Sequence, residues 1–245
     1  MKIGAIIQAR TGSSRLPKKV LMDLCGETVL WHVVQRVSQS KKINQIIIAT
    51  TDKEEDAKIV DEAKRIGVDF FRGSEEDVLS RYYFAAKENE IDLVVRITSD
   101  CPLIDPHVVD EIIGKVESGV YLVATNGGND LSKRRYPRGL DVEAFTFDLL
   151  ERAYFNAKEK YQREHVTPYL YENETSVFYD TDHEDLSSHR WTLDTKEDYK
   201  LISIVYNSLY KGKHSFYLDE IISFIQKHPE IAEINKDIKQ KKLGE

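Results

Sequence analysis

The chain has 245 residues, 41% hydrophobic and 31% charged, with 35 Lys and Arg against 42 Asp and Glu and a formal net charge of -7. That size supports one large α/β domain burying roughly three quarters of its unfolded surface. The acidic balance excludes a general nucleic-acid-binding surface, and no apolar stretch approaches the ~20 residues that a membrane-spanning helix needs.

Short apolar runs alternate with amphipathic stretches from the start. Strands are expected at Lys2–Gln8, Gln45–Thr51, Val68–Arg72, Asp92–Thr98 and Val120–Thr125. Helices are expected at Thr28–Ser38, near Glu54–Ile66, from Glu75 to Glu88 and over Pro106–Val116. Near-continuous Val/Ile/Leu strands alternating with helices imply a mostly parallel sheet covered on both faces. Such sheets bind ligands beyond the carboxyl ends of their strands. That rule places Gln8–Lys19, Thr50–Asp52, Arg72–Gly73 and Ser99–Pro102 on one rim. The pattern breaks at the Gly/Asn-rich loop Asn126–Pro137. A strand-like Leu140–Phe145 follows, then a helix near Asp148–Lys158 and a short helix over Gln162–Glu172. Ser176–Asp180 and Arg190–Leu193 read as strands, Lys196–Tyr210 and Leu218–Lys227 as helices, and Glu233–Glu245 as a charged, frayed tail. The reading is a single α/β domain, 1–245, with an excursion at about 127–180.

The first strand stops at Gln8 and gives way to Ala9, Arg10, Thr11, Gly12, Ser13, Ser14, Arg15, Leu16, Pro17, Lys18 and Lys19. Four cations, a glycine and three hydroxyls after a buried strand suit a loop around a polyphosphate. Backbone N–H groups reach its oxygens, and Arg and Lys neutralise them. The spacing matches neither the Walker pattern nor Gly-x-Gly-x-x-Gly. A basic surface turn is the plainer alternative, but a solvated turn has no need of four cations in ten residues. On an acidic protein the loop favours a small anionic ligand.

Two strand-end acids fit that ligand. Asp100, two residues past Asp92–Thr98, is placed to offer oxygen to a hard cation such as Mg²⁺, or to cap the turn before Pro102. Asp194 is a second candidate, with an N-cap role for the following helix as its alternative. Asp105, before Pro106, reads as an N-cap. Lys133, Arg134, Arg135 and Arg138, with Asp141 and Glu143, form either a receptor for an anionic second substrate or a solvated basic loop. His165 is a pocket candidate or a packing residue, whereas Trp31 and His32 read as structural. Cys25 and Cys101 make no metal spacing, and with Met1 leading directly into the first expected strand no secretory leader is expected. A reducing cytoplasmic setting is therefore expected.

Read together, IIQARTGSSRLPKKVL, IIATTD, FFRGSEEDVLSRY, VVRITSDCPLIDP, YPRGLDVEAF, REHVTPYLYEN and RWTLDTKEDY run in order across residues 3–199, about four fifths of the chain. The series resembles the cytidylyltransferase family of CMP-sialic acid and CMP-KDO synthetases, above all the branch typified by spore-coat polysaccharide biosynthesis protein F. The resemblance implies a Rossmann-like, GT-A-like nucleotidyltransferase fold that is usually a homodimer through the excursion. It also implies Mg²⁺-dependent transfer of CMP from CTP to an acidic sugar, with release of pyrophosphate. It assigns Arg10, Ser13, Arg15 and Lys19, with Lys18 beside them, to the triphosphate loop, which Gln8, Ala9 and Gly12 complete. Asp100 and Asp194 match its metal aspartates, and Arg72 and Gly73 a segment bordering the nucleotide. Arg10, Lys19, Asp100 and Asp194 are the catalytic candidates, and Arg134, Arg135, Arg138 and Glu143 the acceptor-binding ones. The loop QARTGSSRLPKK lacks the proline that those synthetases carry near Gln8, and their acceptor segments have no clear counterpart. The acceptor therefore stays open. A rival reading is a glycosyltransferase, for which Asp180-Thr181-Asp182 is the one Asp-x-Asp match; another is a catalytically inactive nucleotide-binding protein.

Overall fold

The computed structural model describes residues 1–240. Its elements in chain order are β1 (Ile3–Gln8), a short hairpin of β2 (Asp23–Leu24) and β3 (Glu27–Thr28), α1 (Val29–Val37), β4 (Gln45–Thr51), α2 (Ala57–Ile66), β5 (Asp69–Gly73), α3 (Val78–Glu88), β6 (Leu93–Thr98) and α4 (Pro106–Glu117). The second half supplies β7 (Val123–Thr125), β8 (Glu143–Thr146), α5 (Phe147–Asn156), α6 (Lys160–His165), α7 (Pro168–Asn173), β9 (Val177–Tyr179), α8 (Lys196–Leu209) and α9 (Leu218–Lys227).

One seven-stranded sheet runs in the order β5-β4-β1-β6-β8-β7-β9. All its neighbours pair in parallel except β8, which runs against both β6 and β7. Alternate residues of the central strands face opposite layers, as a strand's period of two requires. Ala5, Ile7, Ile48 and Val95 pack toward α1, α4 and α8, while Ile6, Ile47 and Val94 pack toward α3 and α5. Because Gln8 lies beside Thr98 in the β1–β6 register, the loops leaving these two strands start side by side. That adjacency positions the site.

The strands and helices of the first half fall within a few residues of expectation. Four expectations in the second half need correction. Glu54–Asp56 is a separate 3₁₀ turn ahead of α2, a smaller change in the first half. The strand expected at Leu140 begins only at Glu143, because the Asn126 amide donates to the Leu140 carbonyl (2.7 Å) and accepts from Val142 N–H (2.8 Å). Here a side chain replaces a neighbouring strand. The single helix expected over Gln162–Glu172 is two, broken at Val166. That residue has φ 71° and ψ −59°, with Thr167 N–H donating to His165 carbonyl at 2.9 Å, a strained γ-turn for a β-branched residue. Arg190–Leu193 is no strand: it makes one isolated bridge to Arg138. Finally, the expected tail is docked through residue 240, since a 3₁₀ turn at Pro229–Ile234 leads to Asn235, which is buried; residues 241–245 lie outside the described residues.

Among the described residues no helix is long and apolar enough to cross a membrane. The excursion also stays attached, since β8 and β9 belong to the main sheet.

Candidate active site

The phosphate-type loop is built around Thr11. Its N–H and hydroxyl both donate to Asp56 Oδ1 (2.7 and 2.6 Å), and Thr51 holds the other carboxylate oxygen. The Thr11 carbonyl in turn accepts from Ser13 N–H (2.9 Å) and Lys18 N–H (3.0 Å), closing the loop on itself. Lys18 adopts a left-handed backbone (φ 58°), which turns the chain so that Lys19 points inward. Thr11 and Asp56 are positioning residues that sequence reasoning passed over. A buried acid at the start of α2 carries no local signal that its partner lies 45 residues earlier.

The ammonium of Lys19 sits between the two strand-end acids, 2.6 Å from Asp100 Oδ2 and 2.8 Å from Asp194 Oδ1. Arg15 reaches Asp194 Oδ2 at 2.9 Å. Burial opposes charge on Lys19, but the two carboxylates outweigh it and raise its pKa above the ordinary lysine value. Burial likewise works against an ionised Asp100, and the charge and hydrogen bond of Lys19 overcome it, holding that carboxyl below the usual range. Asp100 is therefore engaged by Lys19 in addition to the local hydrogen bonds of Thr98 and its own turn.

Asp194 is delivered by a buried scaffold. Leu193 N–H donates to the Asp100 carbonyl (2.8 Å), tying the two acid-bearing segments together. The N-cap of α8 is Thr195, which forms a capping box with Asp198, so Asp194 itself is not the cap. Asp198 is fully buried and accepts from Arg190 Nε (2.9 Å), from the N–H groups of Asp194 and Thr195 (3.0 Å each) and from Asn235 (2.8 Å). Arg190 also reaches Asp194 Oδ2 at 2.9 Å. Gly139 permits this approach. Its φ is +101°, and a Cβ there would lie 2.6 Å from the backbone of Trp191 and Thr192.

These groups line a cavity of about 520 Å³. Gln8, Ala9, Arg10, Gly12, Ser13, Arg15, Lys19, Asp100 and Asp194 all face it, so the expected loop and both expected acids converge. Arg10 is the outlying cation, half-exposed and 3.5 Å from Glu75. The oxygen-donor pair of Asp100 and Asp194 fits a hard divalent cation: a single cationic atom already stands within 2.8 Å of both.

Other expected residues lie elsewhere. Arg72 donates to the carbonyls of Thr51 (3.0 Å) and Lys53 (2.8 Å), and neither it nor Gly73 lines the cavity. Asp105 is the N-cap of α4, accepting from His107 N–H at 2.8 Å. The four acceptor candidates do not come together. Arg134 is buried and paired with Asp141. Arg135 is bound to nearby carbonyls, and Arg138 lines a separate cavity of about 120 Å³ beside Arg190 and Trp191. Glu143 is buried, pairs with Arg96, and accepts from Thr167 (2.9 Å) and Tyr171 (2.5 Å). It thereby latches the γ-turn after α6 to the sheet.

That latch matters because α6 lines the cavity with Lys160, Glu164 and His165, and α3 contributes Arg81. Burial lowers the pKa of His165, which favours its neutral form. Sequence reasoning kept His165 as a candidate and missed Lys160 and Glu164, which look like any solvated helix face. His32 and Asp180-Thr181-Asp182 stay outside the cavity.

Comparison with known proteins gives the family. A family model described as cytidylyltransferase matches residues 4–238. An uncharacterized protein of Methanocaldococcus jannaschii is 46% identical over 100% of this chain and 99% of its own length. Spore coat polysaccharide biosynthesis protein SpsF of Bacillus subtilis is 32% identical, covering 93% of this chain and 95% of its own. The structure of a cytidylyltransferase from Leptospira borgpetersenii superposes with a TM-score of 0.88 at 34% identity, covering 99% of this chain and 100% of that one. The chain belongs to the cytidylyltransferase family.

Proposed function

Taking that membership as the premise, we propose that the protein transfers CMP from CTP to an acidic sugar or a related acidic or phosphorylated acceptor, releasing pyrophosphate, in surface-glycan precursor synthesis. The observation that carries the proposal is the convergence of Lys19, Arg15, Asp100 and Asp194 at one end of a polar cavity large enough for a nucleotide and a second substrate. Arg10, Arg15 and Lys19 bind the β- and γ-phosphates and neutralise the charge that the departing pyrophosphate gains. An acceptor oxygen attacks the α-phosphorus, and the bond from phosphorus to the bridging oxygen breaks. Asp100 and Asp194 are the residues that hold Mg²⁺. When bound, the ion supplies charge neutralisation at the phosphate.

Lys160 and His165, which line the same cavity from α6, are the groups we assign to the acidic acceptor. This replaces the expectation that Arg134, Arg135, Arg138 and Glu143 receive it. The homodimer belongs to the same proposal: Leu131 and Phe155, 61% and 68% exposed within 127–180, are apolar groups for it to cover. Sedimentation velocity measures the assembly.

The test is CTP with Mg²⁺ and a panel of sugar acids and sugar phosphates, scored by pyrophosphate release, with UTP and UDP-sugars in parallel. One acid is expected to give CTP-dependent pyrophosphate that Asp100→Ala lowers by roughly 100-fold or more. Consumption of a UDP-sugar without pyrophosphate, or full turnover by Asp100→Ala, overturns the reading.

A further inference from the structure

Away from the cavity, three side chains from two parts of the fold turn toward one point: Glu111 of α4, and Asp180 and His183, which follow β9. One potential ligand atom from each lies within 4.8 Å of the others. Asp180 is 2% exposed, and its partners are the hydroxyl of Tyr136 (2.8 Å) and the His183 ring. Among the described residues no lysine or arginine forms an ion pair with it. A carboxylate this buried needs a compensating cation.

His183 does not fill that need well by itself. Its Nε2 lies 3.4 Å from Asp180 Oδ2 and 3.7 Å from Glu111 Oε2. A charge-assisted hydrogen bond would draw these atoms to about 2.7–2.9 Å. Instead the two separations from His183 are close to those between neighbouring corners of a tetrahedron around a metal, where bonds of about 2.0–2.1 Å put adjacent ligands roughly 3.4 Å apart, and the Glu111 and Asp180 oxygens lie within 4.8 Å of each other. The donor set, one imidazole nitrogen and two carboxylate oxygens, suits Zn²⁺ with a water in the fourth position. Tyr136 supplies the outer hydrogen bond that aims a ligating carboxylate, and its ring lies 5.0 Å from that of His183.

We propose that Glu111, Asp180 and His183 form a structural Zn²⁺ site, distinct from the carboxylates at Lys19. The site pins the segment after β9 to α4. That segment continues along residues 135–138, with Leu186 N–H donating to the Arg135 carbonyl (2.7 Å) and Arg138 N–H to the His189 carbonyl (3.0 Å), and ends at Arg190, which grips Asp194. The ion thus staples the far end of the strap that carries a catalytic acid.

The experiment uses the full chain after dialysis against a chelator. Zn²⁺ is titrated calorimetrically, and Co²⁺ is titrated in parallel for its visible absorption. Wild type and Asp100→Asn are expected to take up the same tight Zn²⁺ equivalent, and His183→Ala to lose at least about 100-fold in affinity together with the Co²⁺ bands. Saturating Zn²⁺ should raise the wild-type melting midpoint by roughly 5 °C and leave His183→Ala unmoved. His183 and Glu111 are partly exposed, so His183→Ala and Glu111→Gln avoid the folding risk of replacing Asp180. Zn²⁺ uptake unchanged by both variants, uptake lost in Asp100→Asn instead, or no uptake by wild type overturns the proposal.

Discussion

The two acids that clasp Lys19 reach it by different routes, and the contrast divides the molecule. Asp100 follows β6, a central strand, and reaches the rim on the same sheet edge as the loop after β1. Asp194 lies on an irregular strap, held by Arg190, Asp198 and Asn235. One acid is placed by sheet register, the other by a buried polar network. Register is enforced by the whole hydrophobic core, so it tolerates single changes well. A polar network in a low-dielectric interior has no such redundancy.

If both routes serve one site, removing either acid should look alike in catalysis. Asp100→Ala and Asp194→Ala are each expected to lower pyrophosphate release by roughly 100- to 1,000-fold. A large loss in only one of them breaks the symmetry. Stability should instead separate the regions. Asp198→Ala strips Arg190 and Asn235 of a buried partner and should cost about 3–5 kcal/mol in urea unfolding. Asp56→Ala, which frees the loop at Thr11, should cost about 1–3 kcal/mol. Equal costs would mean that the strap is no more dependent on its network than the loop.

Acid should first weaken the layer that α1, α4 and α8 form on the sheet. His32 Nε2–H donates to the Leu24 carbonyl (2.5 Å), so its Nδ1 accepts from His214 Nε2–H (2.8 Å), and both rings are buried and neutral. Burial, then the charge of Arg36 and the repulsion His32 would exert once protonated, push the His214 pKa down to about 3; burial lowers that of His32. In the unfolded chain both titrate near their ordinary value of about 6.5, so below that pH the unfolded state binds more protons. Stability is full above pH 6.5 and falls as pH drops toward the folded values, by about 1 kcal/mol for His214 at pH 5.5. His214→Phe should flatten that part of the unfolding profile. The smallest effect is expected at the acceptor side: Lys160→Ala should raise the acceptor KM about 3- to 10-fold and leave that for CTP unchanged. A matching rise for CTP would move α6 to the nucleotide side.

The front half was legible in the residues because its signals are local. Continuous Val/Ile runs mark β1, β4 and β6, and the abrupt change at Gln8 marks the loop. Glu143 shows the opposite case. Its neighbours in sequence, YPRGLDVEAF, read as a substrate-binding stretch, yet Arg96 lies beside it across the sheet and claims the carboxylate. Arg134 fails in the same way, through Asp141. Whether a charge is free for a ligand depends on who stands next to it, and spacing along the chain does not say.

By itself the sequence determined the alternating α/β order, the cationic loop, the two acids and the family they resemble, because periodicity and clustered chemistry survive without coordinates. Only the tertiary structure decided that Lys19 bridges Asp100 and Asp194 across 81 and 175 residues, that Thr195 and not Asp194 caps α8, and that α6 lines the cavity. Those outcomes depend on which strand ends become neighbours and which buried charges find partners, and both are settled by the packing of the whole sheet.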